Sequence, residues 1–343
     1  MKDPSKVVKS DRFRWQGIAV KEYKAPTNPD PDRQAAEWLL KNGGSFAADG
    51  KHPYVDRLDK IPASPFKIIY IEGSGVRNVL DDKALAELAP GLTKLETIYG
   101  NDTKFTGTGF APLIKYGELR ALDLNNGSIN DAGLEVLCQF PKLWDLSING
   151  NPVTNAGLAH IGKMQGLVQL GLAGTKITDE GLVHLGKCPT LLRVHFQNTR
   201  ITDEGLRHLA PLKLTSISLS SNKERITDKA LAYLQAQTNL DDISLHDTHV
   251  TDAGLAHLTG LTKMEMLPLD QTKVTGKGLG QLEVLPKLYM LRLANTEVND
   301  AAIDQIARLK ALTDVDLTNT KVTPAGRQRL QKLLPKCKIM PAN

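Results

Sequence analysis

LVQLGLAGTKITDEGLVHLGKCPT, residues 167–190, runs directly into LLRVHFQNTRITDEGLRHLAPLK, residues 191–213. The two lines share a frame, and it returns in LDDISLHDTHVTDAGLAHLTGLTK (240–263) and LYMLRLANTEVNDAAIDQIARLKA (288–311). The Asp slot of the Thr-Asp pair falls on Asp82, Gly107, Asp131, Asn155, Asp179, Asp203, Asp228, Asp252, Gly276, Asp300 and Pro324, always 24 or 25 residues apart. Eleven units in register set the fold, because a fixed period of this length marks a stacked array.

Each unit carries two periods. In L-x-x-L-x-L the second half alternates, as in Val194 and Phe196, which predicts a strand with one buried face. Beyond Thr-Asp the spacing becomes helical, as in Leu182 and Leu185. The Thr-Asp pair is expected to cap that helix and to suit its positive end. Three residues after the Thr the slot is small: Gly109, Gly133, Gly157, Gly181, Gly205, Gly254 and Gly278, or Ala84, Ala230 and Ala302. Glycine inside a helix costs about 1 kcal/mol relative to alanine, so its recurrence predicts close approach to the next unit. A further threonine row (Thr175, Thr199, Thr248, Thr272, Thr296, Thr320) is expected to bond backbone groups that leave the sheet.

No unit can bury its apolar face alone. The expected fold is an α/β solenoid, a right-handed β-α superhelix in a horseshoe arc, with a parallel sheet on the concave face and helices on the convex face. Eleven strands give a ladder on the order of 50 Å long. The repeats resemble leucine-rich repeats, specifically the bacterial 24-residue T-D-x-G-L-x-x-L type, similar in architecture to ribonuclease-inhibitor-like repeats. The resemblance covers about residues 66–340 and implies the architecture. LQKLLPKCKIMP, at the end, resembles a terminal helix and closing strand, and QAAEWLLKNGGSF (34–46) resembles segments that precede such arrays.

Three regions follow: an extended or disordered basic arm (1–33), a helical cap (34–65, its helix at 34–41) and the array with its C-terminal cap (66–343). Residues 1–24 hold seven Lys/Arg against three Asp/Glu, whereas residues 66–343 hold 31 against 29. The net charge of +5 therefore sits mainly in the head, which argues against nucleic acid as the partner of the array. Deleting the arm would test nucleic-acid binding there. There is no apolar run long enough for a membrane helix. The first residues lack the apolar centre of a secretory signal, so a chain that begins at its natural start is expected in the cytoplasm, and one trimmed of a leader in the periplasm or outside the cell. Cys138, Cys188 and Cys337 read as free thiols rather than a disulfide framework.

Outward positions of the strands define a candidate face. Counted from the frame, the first column begins Ile68, Thr97, Ala121, the second Tyr70, Tyr99, Asp123 and the third Glu72, Asn101, Asn125. Across them lie seven acids (Glu72, Asp123, Asp145, Asp242, Asp270, Asp314, Asp316) and two arginines. An acidic concavity repels phosphate backbones and favours a protein with a basic or polar surface. Two clusters stand out: Tyr70, Tyr99, Asp123 and Asp145 near one end, and Arg193, His195, Gln197, Asp242 and His246 near the middle. The expected function is non-catalytic protein binding by a monomer, with enzyme inhibition in the ribonuclease-inhibitor style as an alternative. His160, His184, His208 and His257 recur in one helix slot, but each unit offers a single imidazole, so no metal or cofactor is expected. No nucleophile, zinc-protease or phosphate-loop motif is present.

Overall fold

The computed structural model describes residues 30–49, 54–63 and 65–341. The proposed arm lies almost wholly outside them. One sheet of thirteen strands runs through the described residues in strict sequence order. Its strands are β1 (Ser45–Ala48), β2 (Ile68–Glu72), β3 (Thr97–Tyr99), β4 (Ala121–Asp123), β5 (Asp145–Ser147), β6 (Gln169–Gly171), β7 (Arg193–His195), β8 (Ser216–Ser218), β9 (Asp242–Ser244), β10 (Met266–Pro268), β11 (Met290–Arg292), β12 (Asp314–Asp316) and β13 (Lys338–Met340). β1 is antiparallel to β2, and every later pairing is parallel.

The middle residue of each repeat strand is apolar and buried, as at Leu146, Leu170, Val194, Ile217, Ile243 and Leu267. Its two neighbours point to the opposite face, as a period of two requires. SSNKERIT (220–227) carries two residues more than the matching stretch of the preceding unit, taken up after β8, where Ser221 and Lys223 adopt positive φ, so the pairing of Ser216 with Asp242 keeps register.

The convex side carries α2 (Asp82–Leu88), α3 (Asp131–Leu137), α4 (Asn155–Ile161), α5 (Asp179–Leu185), α6 (Asp203–Leu206), α7 (Asp228–Leu234), α8 (Ile303–Ile306) and α9 (Pro324–Leu333). Three units replace the α-helix by 3-10 turns, at Thr108–Leu113, Gly254–Leu258 and Leu279–Val284. At the head, α1 (Pro31–Lys41) begins three residues before the expected helix, because Asp30 caps it and Pro31 fits its first turn. β1 was not foreseen. It covers the free edge of β2, and Phe46 stacks on Phe66 at 5.8 Å beneath it.

The Thr-Asp pair does more than cap. Thr154, Thr202 and Thr227 do accept an amide of their own helix. The Asp, however, turns to the next unit: Asp131 accepts the Thr154 amide at 2.9 Å and its hydroxyl at 2.6 Å. Asp179 does the same with Thr202, Asp203 with Thr227 and Asp228 with Thr251. Asn155 substitutes an amide that donates to Thr178 Oγ1 at 2.7 Å, and α5 then lacks a side-chain cap.

This carboxylate ladder explains the small slot. A Cβ on Gly157 would lie 2.5 Å from Asp131 Oδ1, and one on Gly205 2.4 Å from Asp179 Oδ1. The ladder breaks where the Asp slot holds glycine. Gly107 and Gly276 have φ of 104° and 101°, and a Cβ on Gly107 would meet the Gly133 backbone at 2.6 Å. The unit after each break has Asn in place of Thr, and Asn130 and Asn299 cap their own helices.

The expected threonine row bonds as its placement suggested. Thr175, Thr248, Thr272 and Thr320 donate to the carbonyl three residues back at 2.6–2.7 Å. Each follows a residue with positive φ, such as Gly174 or Asp247.

Candidate partner-binding face

Sheet register fixes which outward residues are neighbours. One row runs Tyr70, Thr97, Ala121, Asp145, Gln169, Arg193, Ser216 and Asp242, and a second runs Glu72, Tyr99, Asp123, Ser147, Gly171, His195, Ser218 and Ser244. This corrects the sequence frame of the first unit by two residues. Ile68 is fully buried and pairs with Ala48, while Tyr70 pairs with Thr97, 27 residues on, where the next step, Thr97 to Ala121, is 24. The first unit is longer between strand and helix: Tyr70 lies twelve residues before Asp82, where Thr97 lies ten before Gly107.

Near the head, the rings of Tyr54, Tyr70 and Tyr99 form a run, with centroids 6.0 and 5.4 Å apart. Tyr70 donates to Glu72 at 3.2 Å. Burial, with the Glu72 charge behind it, pushes the Tyr70 phenol well above its ordinary range. Tyr99 is 40% exposed. Asp123 and Asp145 sit diagonally on adjacent strands. Burial raises the Asp123 carboxyl against the opposing bonds from Asn101 and Asn125. Burial raises Asp145 too, and the Asp123 charge adds to it. Asp145 Oδ1 is shielded from solvent with no hydrogen-bond donor in reach.

In the middle, Arg193 is exposed and its guanidinium forms no ion pair among the described residues. Burial lowers the His195 imidazole, against the pull of Asp242, so the ring favours its neutral form. Asp242 is raised by burial although the Ser216 hydroxyl donates to it at 3.0 Å. Gln197 Oε1 and the Ser218 hydroxyl, on a residue only 7% exposed, have no partner. His246 is half-buried one strand further on. The structure thus gathers Arg193, His195, Gln197 and Asp242 across β7–β9, with His246 just beyond the end of β9.

The seven acids are not equivalent. Arg292 lies 3.1 Å from Asp270 and 3.7 Å from Asp316, and both carboxylates also accept backbone amides. These two are 6% and 5% exposed and hold the fold. The third row is structural as well. Asn101, Asn125 and Asn149 each accept the next strand's amide at 2.7–2.8 Å. Sequence reading missed this asparagine ladder, whose signal was Asn recurring at 24-residue spacing. It also passed over Trp144, 45% exposed at the rim just before Asp145.

Elsewhere the chemistry is quiet. Burial pushes the Cys138 thiol to about 12 and those of Cys188 and Cys337 to about 11, far from a reactive thiolate. Among the described residues no three metal-ligating side chains converge, and no helix is long and apolar enough to cross a membrane.

Repeated strand, turn and helix with one continuous apolar core decide the architecture, and a family model for the leucine-rich repeat matches residues 119–138 and 187–210. This chain is a leucine-rich-repeat protein. An internalin from Listeria monocytogenes shares its fold at a TM-score of 0.54 and 19% identity, over 92% of this chain and 96% of that one. A leucine-rich-repeat protein from Leptospira interrogans aligns at a TM-score of 0.45 and 16% identity, over 74% of this chain and 80% of its own. No curated protein matches. At 19% identity the likeness to the internalin shows the fold alone, and the leucine-rich-repeat face must be read from its own residues.

Proposed function

We propose that this protein is a non-catalytic recognition scaffold that binds a protein on its concave face. The observation that carries the reading is that charged groups stand unpaired where the fold needs only small residues. Arg193 shares a row with Ser216, and Asp145 with Ala121, yet neither forms an ion pair. A half-buried, unpaired charge such as Asp145 costs stability, exposed Arg193 is free to pair with a partner, and such residues concentrate where a protein binds something. Leucine-rich repeats support many functions, so the assignment rests on these residues rather than on the fold.

A photo-crosslinking amino acid at Ser147 or Ser244, and separately at Val183 on the convex side, tests it in native lysate. The expected result is a discrete protein adduct from the two sheet positions and none from Val183. Adducts from Val183 alone, or the same set from all three sites, would refute the concave assignment.

A further inference from the structure

Charge is unevenly spread along the face. In the two rows that face outward from β2–β6, the side chains include Glu72, Asp123 and Asp145 and no Lys, Arg or His. The first cation is Arg193 on β7, two strands beyond β5. The floor between is low: Ala121, Ser147 and Gly171 lie side by side with these acids. Tyr99 flanks it in the row of Asp123, and Trp144 is exposed just before the strand that carries Asp145.

Resting on the scaffold reading above, we propose that this trough seats an arginine-bearing segment of the partner protein, its guanidinium held between Asp123 and Asp145. A planar guanidinium can donate to two carboxylates at once, and diagonal neighbours on adjacent strands lie about 7–8 Å apart at their Cα atoms, within its span. Asp145 accepts no side-chain hydrogen bond among the described residues, so a turn of its carboxylate offers the guanidinium an acceptor that the fold does not use. Exposed Tyr99 offers a face for the aliphatic stem and for cation–π contact. Arg193 sets the orientation: about 10 Å away across two strands, it favours an acidic residue at that point of the partner. The raised carboxyls of Asp123 and Asp145 fit the same picture, because a cation restores the charged form that burial disfavours.

The test uses the full chain and a fluorescent peptide of four Gly-Arg repeats, with a citrulline isostere as the neutral control, read by fluorescence anisotropy at two salt concentrations. The arginine peptide is expected to bind in a salt-sensitive way and to bind Asp123→Asn/Asp145→Asn about tenfold more weakly or worse. The charge-matched Glu135→Gln/Glu224→Gln variant, altered away from the sheet, should stay within about twofold of wild type. Thermal melts confirm that both variants are folded, and Tyr99→Ser should weaken binding with every carboxylate in place. Equal loss in the two double variants would reduce the effect to bulk charge and overturn the proposal. So would equal affinity for the citrulline peptide, or no binding of the arginine peptide to wild type. If the sheet positions still crosslink a protein under any of those outcomes, the scaffold reading stands and only the trough assignment falls.

Discussion

Asp145 and Asp252 are both half-buried aspartates, and their surroundings drive them in opposite directions. Burial raises each carboxyl, but at Asp252 the Thr275 hydroxyl and the amides of Gly278, Thr275 and Gly276 outweigh it and leave the group below its ordinary value. Asp145 has no such donors and stays raised. The linkage to stability therefore has opposite signs. Asp252 stabilises the fold above the unfolded carboxylate pKa, and that contribution is lost as pH falls through its depressed folded value. Asp145 costs stability above its raised folded pKa, and the cost is relieved as pH falls through that value toward the unfolded one. Asp252→Ala should lose about 1–3 kcal/mol in urea titrations at neutral pH, the scale of hydrogen bonds to a charged group. Asp145→Asn should melt no lower than wild type at neutral pH. A clear fall in its melting temperature would mean that the carboxylate serves the fold and not a partner.

The repeat unit joins to its neighbour through a three-part device: an Asp, the next unit's Thr, and a glycine that makes room for the carboxylate. Gly→Ala within a helix ordinarily stabilises by about 1 kcal/mol. Gly181→Ala should do the reverse, since its Cβ would lie 2.5 Å from Asn155 Oδ1 and 2.7 Å from Leu158 Cδ1. Denaturant midpoints of the two forms check the sign. The frame, the small slot and the threonine turns were legible because each recurs along the array and depends on local chemistry. The destination of Asp131 was not, because its partner, Thr154, is 23 residues away and its own helix offered a plausible local use for it. For the same reason β1 escaped notice: SFAA is too short to show a period, and its role comes from the edge it covers. At the candidate face, residue identities and rows were readable from β3 onward. Which acids are paired was not, since Arg292 reaches Asp270 and Asp316 on two different strands.

Across the whole molecule the ladder runs unbroken from Asp131 to Thr275 and is interrupted once on either side, at Gly107 and at Gly276. Sheet pairing crosses both interruptions, so the array stays continuous while its coupling weakens there. Native-state hydrogen exchange should show residues 131–275 as the slowest block, with opening of the flanking units bounded near 107–130 and 276–299. A protection profile that declines smoothly from the centre to both ends would assign no special role to the breaks. Both proposed binding clusters touch this block, and Asp145 and Arg193 lie inside it, so a partner would meet the best-coupled part of the sheet.

Because the Asp of one unit is satisfied only by the Thr of the next, what can be copied in this protein is a junction rather than a repeat. Duplicating residues 178–201 in place sets Asp179 before a second Thr178 and closes every bond, so the arc can lengthen there. Duplicating residues 130–153 in place would set Asp131 before Asn130, leaving a carboxylate facing an asparagine that caps its own helix. Length is thus editable within the central block and resisted at its borders, and the two glycines act as punctuation in how such an array can grow.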